Sequence, residues 1–440
     1  MLKSLLAAWA LPELRQRIQF VFMMFAVFMV GLHIPVPGIN RAAMEKLVNG
    51  NNILVLFDTF SGGAFRKFTI FAMGITPYIN ASIIMQLLTV AMPQLEELAK
   101  EGEGGRKQIA KYTRRLTVLL SIVQSIGLLA MLGGFHPGGG GLHIIEASPL
   151  TLVQIVVTLT AGTLLLLWIG ELITERGLGQ GVSLIIFVSI MARMPYEVRR
   201  TLAGFSFEPG AQVTPVGLFL LVVLFLAMVV AIIYVQEGIR RIPIQHAKRT
   251  IGNRTYQGGG SFLPLKVNTA GVMPIIFAIS LLMFPATIAS WFFNTPGWVG
   301  RTAHTVANLF QPGQSWFASV VYGVLIMAFT YFYAAIQINI PELADNLKKY
   351  GSFIPGIRPG RPTQEYLDRV MTRITCAGAV FLTVIGLMQY YTRQITGVQT
   401  FSLVGGTSLL IVVGVALDTM QSLESHLVMR NYEGFIKQAR

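Results

Sequence analysis

The sequence predicts an all-α protein that crosses a membrane ten times. Hydrophobic residues make up 53% of the 440 residues and charged residues only 12%, which is too much apolar surface and too little charge for an ordinary soluble domain. Hydrophobic runs recur along the chain, and a helix of about 20 apolar residues is long enough to cross a bilayer. We place the ten spans at residues 19–34, 69–92, 116–132, 150–170, 182–194, 213–235, 267–290, 315–338, 374–391 and 398–417.

The basic residues are distributed unevenly between the two sides of these spans. The two termini and the even-numbered loops hold 25 of the 34 Lys and Arg residues, and the odd-numbered loops hold nine. Because cytoplasmic loops carry an excess of Lys and Arg, both termini are expected to face the cytoplasm. The N-terminal residues show no small-residue cleavage site before the first span, so no removable signal peptide is expected.

The second span and the residues before it carry an unusual number of breaks and polar groups. Residues 57–92 are interrupted at Gly62 and Gly63 and continue into a hydrophobic run that contains Asn80 and Gln86. A helix facing lipid would have to desolvate these amides. One face of the span is therefore expected either to meet water or to bond to neighbouring helices.

The fifth and seventh spans are interrupted as well. The fifth, at 182–194, is predicted to be short and begins directly after the glycines of residues 177–181. The seventh contains Asn268, Thr269 and Pro274. Broken spans with scattered polar groups often border a substrate pathway.

The sequence offers little for catalysis, metal binding or ion coupling. Asp, Glu, Lys and Arg are almost absent from the spans except near their ends, as at Glu171, Arg193, Arg373 and Asp418. The six histidines show no helical ligand spacing, and the single Cys376 has no intrachain partner. No catalytic residue, metal site or cofactor is therefore expected. A solute permease that binds its substrate at the midplane through amides and backbone carbonyls stays open, and a membrane enzyme is a remoter alternative.

Two large cytoplasmic loops, at 237–266 and 339–373, are rich in basic residues. Positive charge alone would orient the spans, but these loops also alternate charge with aromatic residues, Gly and Pro, which is typical of shaped loops that present side chains to a partner. The candidate docking residues are Arg240, Arg241, Lys248, Arg249, Lys348, Lys349, Arg358 and Arg361.

Several sequence blocks resemble the SecY family of protein-conducting channels. FSGGA at 60–64 and GITPYINASIIMQLL at 74–88 are similar to the plug and the second span of that family. Further similar blocks follow in family order: EGEGGR at 101–106, GQGVSLII at 179–186, NTAGVMP at 268–274, ADNLKKYG at 344–351, IPGIRPG at 354–360 and GGTSLLI at 405–411. The resemblance covers nearly all ten spans.

The resemblance implies two inverted halves of five spans each, residues 1–194 and 195–440, around an hourglass pore that can open sideways to lipid. It places an apolar pore ring at Ile79, Ile83, Val182, Ile186, Ile276 and Ile411. It places a plug near residues 57–65, with Phe57, Phe60, Ser61, Gly62, Gly63, Ala64 and Phe65. The lateral gate would include Asn80, Gln86, Asn268, Thr269 and Pro274.

The resemblance also implies partners and a location. The expected partners are the small membrane subunits SecE and SecG, the motor ATPase SecA, and the ribosome, whose RNA the basic loops would contact through phosphates. The cargo would be secretory and membrane polypeptides with signal sequences, whose hydrophobic segments pass into the lipid bilayer. The expected location is the inner membrane of a bacterial cell.

Overall fold

The computed structural model of the chain is mostly helical. It describes residues 9, 11–50, 54, 58, 61–132, 148–206, 213–246, 249–251, 254–256, 260–293, 295, 297–310, 315–398 and 406–438. The first helices are α1 (Pro12–Gly31), α2 (Arg41–Gly50), α3 (Ala64–Lys67), α4 (Thr76–Ala91), α5 (Pro93–Lys100), α6 (Glu103–Met131), α7 (Pro149–Arg176), α8 (Gly181–Ala203) and α9 (Pro215–Gln236). The later elements are β1 (Ile239–His246), β2 (Arg249–Ile251), β3 (Arg254–Tyr256), β4 (Gly260–Lys266), α10 (Met273–Ser290), α11 (Trp298–Leu309), α12 (Trp316–Gln337), α13 (Ile340–Lys349), β5 (Ser352–Phe353), α14 (Arg361–Thr396) and α15 (Gly406–Gln438).

The number of membrane-spanning helices agrees with the prediction. Within the described residues, nine helices are long and apolar enough to cross a membrane, and the bent pair α4 and α5 makes ten if it is counted as one span. The pair bends by 99° at Pro93, which begins the second helix, because proline lacks an N–H and fits the first turn of a helix. The second span begins later than predicted, since residues 70–75 form turns and α4 starts at Thr76.

The prediction of a short fifth span is wrong. Helix α8 has 23 residues and continues to Ala203, past the predicted end at residue 194. Pro195 lies inside the helix and does not end it. Membrane helices tolerate an interior proline because neighbouring helices and local adjustments satisfy the freed backbone groups, and α8 packs against both α7 and α15.

Helix α6 shows how the sequence distributes polarity between the protein interior and its surface. Thr117, Ser121 and Ser125 are completely buried at a spacing of four residues, whereas Leu119 and Val123 are exposed. The buried hydroxyls donate back along the helix, as from Thr117 Oγ1 to the Thr113 carbonyl at 2.8 Å. Small residues let membrane helices approach closely while large apolar residues face lipid. This pattern is the reverse of a soluble amphipathic helix and indicates a lipid-facing surface.

The two large basic loops contain strands, which the sequence analysis did not anticipate. Strand β1 pairs antiparallel with β4, from Ile239 opposite Lys266 to Gln245 opposite Gly260. It also pairs antiparallel with β5, which belongs to the second loop. Buried Ile242 and Ile244 alternate with exposed neighbours on β1, so one face of the strand packs on apolar residues of both loops. The two loops therefore form one folded unit.

Candidate functional site

The six residues predicted to form the pore ring all belong to the main hydrophobic core of the protein, to which they contribute from four helices. Helix α4 supplies two of them, α8 two, α10 one and α15 one. The buried members are Ile83, Ile186, Ile276 and Ile411, and the half-buried members that pack against the cluster are Ile79 and Val182.

The local sequence explains why the ring residues of α4 and of α8 each share one face of their helix. Ile79 and Ile83 are four residues apart on α4, as are Val182 and Ile186 on α8, so each pair lies on one face of its helix. None of the six side chains carries a hydrogen-bonding atom. These side chains can exclude water, but they cannot hold a polar solute by hydrogen bonds.

The part of the predicted plug that the structure describes packs against α8. Phe57 and Phe60 lie outside the described residues. Ser61 Oγ accepts a hydrogen bond from the Phe65 N–H at 3.0 Å and so starts the short helix α3. Gly62 has a φ of 70°, and a Cβ there would come within 2.8 Å of the Ser189 carbonyl oxygen of α8. A side chain at Gly62 would therefore push the segment away from the helix.

A buried charge cluster joins this segment to α8, and the sequence analysis missed it. Asp58 Oδ2 lies 3.3 Å from Arg193 Nη1 and 3.5 Å from Arg66 Nε. Arg193 Nε in turn donates to Glu197 Oε1 at 2.8 Å. Asp58, Arg66, Arg193 and Glu197 are all at least nine-tenths buried. Arg193 was read from the sequence as marking the end of a span, yet it lies inside α8 and faces the protein interior.

The carboxyl group of Asp58 feels opposing effects. Burial raises its pKa above the usual value because the charged form loses water. The Arg193 guanidinium and the Arg66 backbone N–H, which donates to Asp58 Oδ1 at 2.8 Å, oppose that shift by stabilising the carboxylate. The upward pKa shift remains the larger effect.

A cavity of about 310 Å³ separates α4 and α6 from α10. Predicted gate residue Asn80 lines it, together with Gln124 of α6 and the ring residues Ile79 and Ile276. Trp291, just after α10, also lines the cavity and packs against Gly127 of α6, where a Cβ would clash with the indole. The seam between these helices is therefore mostly apolar and loosely filled.

The other predicted gate residues divide into two groups. Gln86 of α4 accepts a hydrogen bond from the Tyr333 hydroxyl of α12, so it bridges the seam. Asn268 and Thr269 lie in the turn before α10, where Asn268 Nδ2 donates to the Gly271 carbonyl at 3.0 Å. Pro274 occupies the first turn of α10. Tyr333 was not predicted from the sequence, because its partner lies far away in the chain.

The predicted docking residues lie on the unit formed by the two basic loops. Exposed Arg240 and Arg241 are on β1, and Arg241 stacks over the Phe262 ring at 4.9 Å. Lys348 and Lys349 end α13, exposed Arg358 lies between β5 and α14, and exposed Arg361 begins α14. His246 Nδ1 and Ser352 Oγ, 2.7 Å apart, form one bond between the loops. Lys248 and the Arg249 side chain are outside the described residues.

Comparison with sequences of known proteins gives consistent results. The SecY family model matches residues 69–420. A SecY protein translocase subunit from Thermotoga maritima is 43% identical over 447 residues, which cover 98% of this chain and 97% of that protein. A SecY protein translocase subunit from Streptomyces galbus is 44% identical over 450 residues, which cover 99% of this chain and all of that protein.

Solved structures share the fold at low sequence identity. A protein-conducting channel superposes with a TM-score of 0.65 and 14% identity, covering 94% of this chain and 93% of that one. The canine Sec61 chain from a ribosome–channel complex of the endoplasmic reticulum gives a TM-score of 0.64 and 14% identity, with 94% and 93% coverage. A SecY structure described for its plug domain, which stabilises the closed state and maintains a membrane seal, gives 0.61 and 17% identity, with 94% and 92% coverage.

Proposed function

This chain belongs to the SecY family, and from that premise we propose that it forms the protein-conducting channel of a translocase. It passes unfolded secretory polypeptides across the membrane and releases hydrophobic segments sideways into lipid. The observation that carries this proposal is that the six predicted ring residues, on α4, α8, α10 and α15, are all aliphatic and belong to the hydrophobic core that also contains Ala64 of the plug segment. A solute permease with a midplane site is not favoured, because these six side chains offer no hydrogen-bonding group to a solute.

The six aliphatic residues act as the pore ring. A narrow apolar constriction excludes water and ions by dewetting, and it still yields around a passing polypeptide. Hydrogen-bonding groups at the same place would hold the cargo instead of letting it slide. The plug segment, residues 57–65, forms a second seal on the external side.

The halves of the channel are the two five-span units predicted as residues 1–194 and 195–440, with α8, which continues to Ala203, wholly in the first half. The seam between them is the lateral gate. Helices α4 and α6 belong to the first half and α10 and α12 to the second. The apolar cavity lined by Asn80 and Gln124 gives the gate room to move. A cargo segment enters lipid there when burial of its apolar surface outweighs the cost of its polar groups.

The folded unit of the two basic loops is the docking surface for cytoplasmic partners. Two similar solved structures carry ribosomes in their descriptions: canine Sec61 in a ribosome–channel complex, and the yeast Ssh1 complex on the 80S ribosome. For this chain we propose the ribosome and the motor ATPase SecA as alternative partners on this surface, and SecE and SecG as membrane subunits. Contact with ribosomal RNA would be sensitive to salt because Lys and Arg neutralise phosphates.

A trapping experiment tests the channel function. A secretory polypeptide stalled during export should crosslink to photoreactive residues placed at Ile83 and Ile276, because the cargo must pass the ring. The matched control position is Val222, which is exposed on α9. Crosslinking at Val222 but at neither ring position would place the cargo path elsewhere.

The proposed location is the bacterial inner membrane with both termini in the cytoplasm, and the distribution of Lys and Arg predicts the sidedness of every loop. Reporters fused after Lys107, Arg249 and Lys349 should report cytoplasm, and those after Gly139 and Arg301 the outside. Enzymatic reporters that are active on only one side of the membrane measure this directly. One clear reversal would remove a span from the topology.

Tyr333→Phe should loosen the gate by removing the hydrogen bond to Gln86. Such a bond contributes about 1 kcal/mol, which is about a fivefold change in the ratio of closed to open gates. Export of a reporter with a weakened signal sequence should therefore increase several-fold. The matched control is Tyr331→Phe on the same helix, whose hydroxyl bonds to the Thr372 carbonyl at 3.5 Å, away from the seam. If Tyr333→Phe and Tyr331→Phe export the reporter equally, the contact between Tyr333 and Gln86 has no role in gating.

A further inference from the structure

The buried charge cluster joins the plug segment to α8 through ion pairs. We propose that Asp58, Arg66, Arg193 and Glu197 form a plug latch, which holds the plug closed and divides into two neutral pairs when the plug leaves. The four residues are positioning residues: they set how readily the plug opens and do not touch the ring. This inference rests on the proposed channel function.

The contacts between the plug segment and α8 follow one face of the helix. Gly62 approaches the backbone of Ser189, and Asp58 pairs with Arg193. Arg66 Nη1 donates to the Tyr196 hydroxyl at 2.8 Å, and its guanidinium lies 5.1 Å from the centre of that ring. Ser189, Arg193 and Tyr196 are spaced four and three residues apart, which places them on the same face of α8. The latch is thus a continuous strip of contacts along the helix.

The arrangement of charges within the latch is its distinctive feature. Asp58 lies in the plug segment and Arg66 directly follows it, and we call these two residues the plug side of the latch. They are joined by an ion pair of 3.5 Å and a backbone hydrogen bond of 2.8 Å. Arg193 and Glu197 both belong to α8 and are paired at 2.8 Å. Each side therefore carries one cation and one anion that already contact each other.

This pairing determines what opening costs. Leaving a buried charge without its counter-ion is strongly unfavourable. When the plug moves away, Asp58 keeps Arg66, and Arg193 keeps Glu197, so no charge is left unpaired. The contacts that are lost include those of Asp58 with Arg193, of Arg66 with Tyr196 and of Gly62 with Ser189. A permanent attachment would have no need of a separate counter-ion on each side.

The latch is also placed where it can respond to the ring. Ile186 and Arg193 lie on the same helix, seven residues apart, which is about 10 Å along its axis. A displacement of α8 by cargo in the ring therefore acts directly on the strip that holds the plug.

A pair of double variants in the full-length channel, reconstituted with its partners, tests the latch. Arg193→Gln with Glu197→Gln removes the α8 pair, keeps the net charge, and leaves Asp58 with Arg66. We expect the resting ion conductance in planar bilayers, and the export of a reporter with a defective signal sequence, to rise about tenfold. The matched control is Arg114→Gln with Glu171→Gln, which removes an Arg–Glu pair of 2.7 Å between α6 and α7 whose side chains are 56% and 30% exposed. It should behave as wild type.

The second double variant tests whether the latch divides into two neutral pairs. Asp58→Arg with Arg193→Asp keeps four charges and the contact between the two sides, but it places two cations on the plug side and two anions on α8. Opening must then separate unlike net charges, so we expect resting conductance no higher than wild type and export slowed about tenfold. The conservative variant Arg193→Lys should retain the resting seal, because it keeps the cation opposite Asp58.

The outcomes separate the latch from the channel itself. If wild-type vesicles translocate cargo and the double Gln variant has the same resting ion conductance as its control, the latch proposal is wrong. Failure of the double Gln variant to accumulate, measured as channel abundance, would make the cluster a structural attachment and also overturn the proposal. If the variant Asp58→Arg with Arg193→Asp exports cargo at the wild-type rate, the division of the latch into two neutral pairs is wrong. If wild-type vesicles do not translocate cargo at all, the proposed function fails instead.

Discussion

Replacing Ile83 and Ile276 together by Asn is expected to raise the resting ion conductance of the channel about tenfold or more, because polar side chains let water persist in the constriction. The two residues come from α4 and α10, on opposite sides of the seam, and both are buried in the shared cluster. Conductance of the purified variant in planar bilayers measures the effect. The leak should exceed any loss of channel abundance, since each Asn would face a space that water can enter.

Single substitutions should have smaller effects, because the ring and the plug are two seals in series. Deleting residues 58–64 in the ring variant should therefore raise the conductance further. Val222→Asn is the matched control, since Val222 is exposed on α9 and away from the cluster. A ring variant that is as tight as wild type even without residues 58–64 would mean that the pore lies elsewhere.

The membrane-spanning helices could be predicted because a lipid-exposed helix needs a long apolar run. The errors arose where a local signal was overridden by packing. The fifth span was predicted to end at residue 194, just before Pro195, but α8 continues to Ala203 because adjacent helices support it. At the start of the second span the reverse occurred: the apolar residues 70–75 form turns, and the helix begins only where Pro77 can occupy its first turn.

The ring residues and the charge cluster show different limits of sequence reasoning. The pairs Ile79 and Ile83, and Val182 and Ile186, are visible as four-residue repeats, and the family resemblance indicates which repeats matter. Arg193 and Glu197 have the same spacing, so their ion pair was also visible in principle. Their contact with the plug segment was not, because Arg66 and Tyr196 are 130 residues apart in the sequence. Only the folded structure shows that the two charge pairs meet.

The basic loops illustrate a third limit. Their charges predicted a cytoplasmic location, but the short alternation of Ile242 and Ile244 within β1 was hidden among arginines and a proline. Strand β1 also needs partners from two different loops, β4 in its own loop and β5 in the next basic loop. Long-range pairing of this kind depends on where the intervening helices place the loops, and the local sequence does not encode it.

The basic loop at 339–373 holds Arg358, whose substitution is expected to have the second large effect. Arg358 is exposed, and its backbone is held in place independently of its side chain: the Arg358 carbonyl accepts a hydrogen bond from Thr363 Oγ1 at 2.9 Å. Gly356 and Gly360 flank it with φ angles of 83° and 104°, which favour glycine. The loop therefore presents the guanidinium to solvent, and a change of the side chain should leave the fold intact.

Arg358→Glu is expected to reduce motor-driven secretion about tenfold or more while channel abundance stays at the wild-type level, because it inverts a charge at the proposed docking surface and buries nothing. The matched control is Arg369→Glu, which inverts an exposed arginine on α14 outside the predicted docking set. Translocation of a secretory protein driven by SecA, measured beside the amount of channel in the same membranes, decides the result. The control should secrete normally, and its salt dependence should match that of the wild type. Normal secretion by Arg358→Glu would mean that the positive charge of this loop only orients the neighbouring spans.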